Sequence, residues 1–199
     1  MIAAVATSVL ALASAVLVLA DGASRARVAA GDTPPAAPGF AWLDPGAPPS
    51  GWRHTTTSAS DATLFYPPGW RSIRGDRGTV TEALRDQAGL YVGYLNVTPR
   101  EGAEQLHGWA AFRTHRNSED GDGQVHQVAA AEGLSFRDAR GSCVIDDYYS
   151  RVGSHRYREI ACLITGRHHT DVFVGAALMR EWPALSPTLE RAASSIFQG

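Results

Sequence analysis

The chain has 199 residues, 18 of them basic and 20 acidic, and a net charge of −2. With no broad basic field, nucleic acid and anionic membrane surfaces are excluded as general partners. Every basic residue is arginine, which reads as the bias of a GC-rich bacterial genome rather than as a set of phosphate clamps.

Ile2 to Ala20 is free of charge and rich in Ala, Val and Leu, and at about 1.5 Å per residue it is long enough to cross the hydrocarbon of a bilayer. Residues 1–28 are therefore expected to be a transmembrane anchor or a signal sequence. Ala13-Ser14-Ala15 and Val28-Ala29-Ala30 are small-residue sites of the kind a signal peptidase accepts. No basic stretch precedes the apolar run, and Arg25 and Arg27 after it would draw a retained helix's C-terminal side toward the cytoplasm. Export is still the favoured reading, to an extracytoplasmic location, membrane-anchored or secreted. The first cysteine is Cys143, so nothing near the leader can carry a lipid.

Residues 29–50 contain Pro34-Pro35, Pro38, Pro45 and Pro48-Pro49 and read as an extended linker. Phe40, Trp42 and Leu43 are the residues in it able to lie on a domain edge. An α+β domain is expected over 51–199, large enough to bury its own core. Its first strands are Trp52 to Thr57 and Ala62 to Tyr66, followed by a Pro67-Pro68-Gly69 turn and a short segment from Trp70 to Ile73. Thr79 to Leu84 and Leu90 to Thr98 follow as strands, and Pro99 ends the second.

Ala103 to Arg116 places Leu106, Trp109, Ala110 and Arg113 three and four apart, which predicts a helix burying one stripe. Asn117 to Gly123 reads as an acidic, glycine-rich loop. Gln124 to Ala131 fits either a helix or a strand. Val172 to Ala177 reads as a strand, and a closing helix is expected with Ser186 as cap and Pro187 at its first position.

Between them lies a hairpin in which residues whose numbers sum to 305 are opposed about Val152-Gly153. That register sets Asp147 against Arg158, Ile145 against Ile160 and Cys143 against Cys162. Opposed Cβ atoms approach within about 4.5 to 5.5 Å, so a disulfide fits there. Such a bond supports export, because structural disulfides persist in oxidising compartments.

Phe65-Tyr66-Pro67-Pro68-Gly69-Trp70 resembles the strand-and-turn opening of the Mog1/PsbP-like family. The late apolar strand Val172 to Ala177, Trp182 and the last helix Leu189 to Phe197 resemble its closing pattern, so the resemblance spans about 130 residues. It implies an antiparallel sheet flanked by helices, an α/β/α sandwich. It also implies a binding or assembly module rather than an enzyme, of the kind that forms extracytoplasmic portions of actinobacterial membrane proteins. No kinase domain or lipobox accompanies it in this sequence.

The seven histidines show no H-x-x-x-H spacing and none stands near a cysteine at ligand spacing, so no metal site is expected. Asp146 and Asp147 are neighbours in a strand and point to opposite faces, which removes them as a catalytic dyad. There is no G-x-S-x-G, Walker loop or G-x-G-x-x-G after a strand. No catalytic residue and no cofactor are therefore expected. The aromatics exceed what the inward face of one thin sheet needs, and Trp52, Trp70, Tyr148 and Tyr157 with Arg156 and Arg158 are the candidate binding surface for a protein or envelope partner. The reading is an exported, non-catalytic interaction or sensory module. Its alternatives are a cell-envelope hydrolase, which requires convergent polar groups with perturbed pKa values, and a binder of a small apolar ligand between helix and sheet.

Overall fold

The computed structural model describes residues 38–199, and the expected anchor or signal over 1–28 lies outside them. Among the described residues no helix is long and apolar enough to cross a membrane. Strands β1 (Arg53–Thr56) and β2 (Thr63–Tyr66) form a small antiparallel pair. Seven strands form the main sheet: β3 (Arg71–Ser72), β4 (Val80–Arg85), β5 (Tyr91–Pro99), β6 (Gly123–Phe136), β7 (Ala139–Tyr149), β8 (Arg156–Thr165) and β9 (Thr170–Leu178). Their order is β3-β4-β5-β9-β8-β7-β6 and every pairing is antiparallel.

Helices α1 (Trp109–Glu119) and α2 (Trp182–Ser195) cover opposite faces of this sheet. Because strand side chains alternate, β8 serves both cores. Ala161 and Leu163 pack with Trp109, Val144 and Val174 under α1. Ile160, Cys162 and Ile164 pack with Leu189, Ala192, Ala193 and Ile196 of α2. The result is an α+β fold, an antiparallel sheet flanked by helices in an α/β/α sandwich.

The β7–β8 hairpin has the register read from the sequence, with Cys143 opposite Cys162, Ile145 opposite Ile160 and Asp147 opposite Arg158. Cys143 and Cys162 are disulfide-bonded, their Cα atoms 4.1 Å apart, and both are buried in the α2-side core. Closing this loop contributes about 3 kcal/mol in the chain-entropy model.

Several local expectations change and one open reading is settled. The first helix starts at Trp109 and not at Ala103, because Gly108 is left-handed with φ 78° and its N–H is held by the Glu132 carboxylate of β6 at 2.8 Å. It also runs on to Glu119, so Asn117 is a buried helical residue rather than part of a loop. The ambiguous stretch after it belongs to the long, bulged edge strand β6. The last helix begins at Trp182 with Pro183 in its first turn, and Pro187 lies inside it instead of starting it. The earlier start brings Trp182 and Leu185 against the core, burial that outweighs the hydrogen bond lost at Pro187. Phe197 leaves the helix and bridges to β2, exchanging backbone hydrogen bonds with Thr63 at 2.8 and 3.2 Å.

The linker expected over 29–50 is packed structure from Phe40 onward. Phe40 is completely buried in the α2-side core, with Trp42 and Leu43 against it. The Gly46 N–H donates to the Ser194 carbonyl of α2 at 3.1 Å, and the Arg191 guanidinium donates to the Asp44 and Ala47 carbonyls. Proline sets the extended path, and the aromatic residues supply the burial that holds it down.

Candidate functional site

The six residues of the predicted binding surface do not form one patch. Trp70 is buried and Trp52 half-buried, both in the α2-side core. Arg156 and Arg158 both donate to the Asp147 carboxylate, at 3.1 Å and at 2.6 and 3.0 Å. The Arg158 guanidinium also lies 5.6 Å from the centre of the Trp182 ring. Tyr148 and Tyr157 pack in a separate cluster and are only 5% and 7% exposed. Strand alternation separates them from their neighbours, since Asp147 and Arg158 face α2 while Tyr148 and Tyr157 face α1.

The α1 face carries a different constellation. The 305 register that joins the cysteines also opposes Asp146 to Glu159 and Tyr148 to Tyr157. Helix α1 lowers two side chains onto the carboxylates. The Arg113 guanidinium grips Glu159 through two bonds, 2.8 and 3.0 Å. The Asn117 amide donates to Glu159 at 3.2 Å and reaches Asp146 at 3.5 Å. Beside them the Tyr94 and Tyr148 hydroxyls share a 2.8 Å hydrogen bond, and the Tyr157 hydroxyl donates to the Tyr91 carbonyl at 2.7 Å.

Asp146 and Glu159 are both completely buried, and Asp146 Oδ1 has no hydrogen-bond partner among the described residues. One arginine cannot neutralise two carboxylates in a low-dielectric site, so one of them keeps its proton. Burial, then the charge of Glu159, push the Asp146 carboxyl up to about 8. Burial works against the charged form of Arg113, but the Glu159 charge and hydrogen bonds outweigh it and its pKa rises. The Tyr94 and Tyr148 hydroxyls are raised first by burial, with the Glu159 charge adding to both.

A pH dependence follows. Between an unfolded carboxyl near 3.8 and a folded one near 8, the folded protein holds a proton that the unfolded chain releases. Asp146 therefore contributes stability that is complete below the unfolded value and is lost as pH rises toward 8, with a slope of at most about 1.4 kcal/mol per pH unit. Urea unfolding at pH 5 and pH 8 is expected to show the wild type losing about 1–3 kcal/mol more than Asp146→Asn across that interval. Equal slopes for the two proteins would show that Asp146 is ionised in the fold.

Two open clefts flank Tyr94. One, of about 600 Å³, runs between α1 and the exposed part of β5 and β9, with Asn96, Thr98, Phe112, Arg113 and Arg116 in its lining. The other, of about 550 Å³, lies at the end of the sheet among Tyr91, Tyr148, Tyr157, Asp120, Asp122 and Val152.

No family model matches the chain, and no curated protein matches it. Among solved structures it is similar to cyanobacterial PsbP from Synechocystis sp. PCC 6803, with a TM-score of 0.54 and 18% identity over 77% of this chain and 96% of that one. The Ran-binding protein Mog1p of Saccharomyces cerevisiae has a TM-score of 0.44 and 10% identity over 72% of this chain and 87% of that one. LpqN of Mycobacterium tuberculosis, involved in cell envelope biogenesis, has a TM-score of 0.44 and 12% identity over 73% and 88%. The sheet order and the helix on each face define an antiparallel α/β/α sandwich. Its fold is Mog1/PsbP-like. Likeness at this level of identity speaks to the fold alone.

Proposed function

We propose that this protein is an exported, non-catalytic binding module of the cell envelope, held to the membrane or released by residues 1–28, which takes its partner in the clefts on the α1 face. The observation that carries the reading is the division of labour there. The paired carboxylates Asp146 and Glu159 are sealed beneath Arg113 and Asn117, while the open clefts beside them combine aromatic rings with charges at the surface, Asp120 and Arg116 among them. A hydrolase needs its acid or base within hydrogen-bond reach of a substrate, and the carboxyl pushed up to about 8, Asp146, is completely buried. The buried disulfide supports the extracytoplasmic address.

The test uses the full chain in its native cells, with a photo-crosslinking amino acid at Val152, on the rim of the second cleft, and at Arg71 on the far edge strand β3. The expected result is an envelope fraction, Cys143 and Cys162 resistant to alkylation until reduced, and a discrete adduct from Val152 only. Cytosolic protein with two free thiols would overturn the address, and identical adduct patterns from the two positions would overturn the site.

A further inference from the structure

The second cleft has an aromatic floor held in one geometry. The Tyr148 and Tyr157 rings stack with centroids 6.0 Å apart and planes at 18°, and Tyr94 meets Tyr157 at 6.3 Å and 55°. The hydroxyls of all three are occupied by the hydrogen bonds described above, so the rings do not reorganise when a ligand arrives.

The charge around this floor is negative. Helix α1 ends at the cleft, bringing the negative end of its dipole to Asp120. Arg116 answers Glu119 and Asp120 together, at 3.8 and 3.5 Å, one positive charge against two negative. Asp122 accepts the backbone N–H of Arg151 at 2.9 Å and has no ion-pair partner among the described residues. Burial raises its carboxyl and the Glu159 charge behind it adds to the rise, so Asp122 sits where a positive neighbour is favoured. Arg151 and His155 on the rim are the nearest cationic or titratable groups from the hairpin turn, and neither forms an ion pair with Asp120 or Asp122 among the described residues. One tyrosine of the lining already carries a cation from this chain, the Arg85 guanidinium 4.3 Å from the centre of the Tyr91 ring.

Aromatic rings beside carboxylates at a helix C-terminus recognise positive charge on an apolar body, through the ring quadrupole and the opposite charge together. An anion is repelled by the same groups. A neutral apolar ligand would take water from Asp122 and return nothing for it. We propose that the cleft binds a small organic cation, an amine or quaternary ammonium group on an apolar body, seated against Tyr91 and Tyr94 and facing Asp122. This rests on the binding-module reading and names its ligand class.

The test is calorimetric titration of the full chain, solubilised in a maltoside detergent, with choline and benzyltrimethylammonium and with their uncharged carbon isosteres, 3,3-dimethylbutan-1-ol and neopentylbenzene analogues bearing a solubilising hydroxyl. The cations are expected to bind with Kd below about 1 mM and the isosteres about tenfold more weakly. Asp122→Asn is expected to erase most of that tenfold preference, and Asp138→Asn, at the far β6–β7 turn, to leave it unchanged. Equal binding of cation and isostere, or a preference that survives Asp122→Asn, overturns the assignment. If no cation binds while Val152 still gives its specific adduct, the ligand class falls and the binding module stands.

Discussion

Replacing Arg113 with alanine is expected to destabilise the protein by about 3–5 kcal/mol, the cost of leaving a buried carboxylate without its counter-charge. Glu159 is completely buried, and Arg113 supplies two of its three hydrogen bonds. With Arg113 gone, Asn117 alone must serve Glu159, and Asp146 opposite it cannot share any charge. The control is the double variant Arg113→Met with Glu159→Met, which removes both charges and keeps the volume. It is expected to cost less than either single change, because apolar replacements owe no desolvation penalty. Urea unfolding of the wild type, Arg113→Met, Glu159→Met and the double variant gives the coupling directly. A single-variant loss below about 1 kcal/mol would mean that the pair is solvated and that α1 is held by Trp109 and its apolar neighbours alone.

Phe40→Ala is expected to cost about 3–5 kcal/mol, the range for truncating a large aromatic in a well-packed core. The residue lies within what composition marks as linker, where a substitution costs within about 0.5 kcal/mol. The two readings thus differ severalfold in a single thermal or urea melt. The structure favours the larger figure because Phe40 has no exposed surface and meets Trp42 with ring centroids 5.8 Å apart. A near-neutral result would return residues 38–50 to the linker.

The candidate site was only partly legible in the sequence. The register arithmetic that opposed Cys143 and Cys162 also opposes Asp146 and Glu159, so the acid pair was within reach of the same reasoning. Local alternation compares Asp146 only with its chain neighbour Asp147, and it correctly separates those two. Arg113 stood in the helical stripe, but nothing local aims its guanidinium at Glu159. The acidic, glycine-rich run from Asn117 to Gly123 predicts a loop, and the contacts with Glu159 and Asp146 hold Asn117 in the helix instead. The aromatic residues divide for a related reason. Counting aromatics shows an excess over one core, and only the two-sided sandwich shows where it goes: Trp70 under α2, Tyr148 and Tyr157 under the α1 side.

By itself the sequence determined the features that repeat over short distances. Period-two alternation, proline and glycine punctuation and a self-complementary hairpin were enough for most strands and the disulfide register, and the Phe65 to Trp70 motif with Trp182 and the closing helix carried the resemblance to the Mog1/PsbP-like fold. These depend on backbone geometry that each segment carries with it. Tertiary structure alone decided that β5 pairs with β9, that Phe40 enters the core, and that Arg113 and Asn117 close over two buried carboxylates. Those outcomes join residues far apart in the chain, and they are set by competition for buried volume and by the cost of burying charge, neither of which any short window contains.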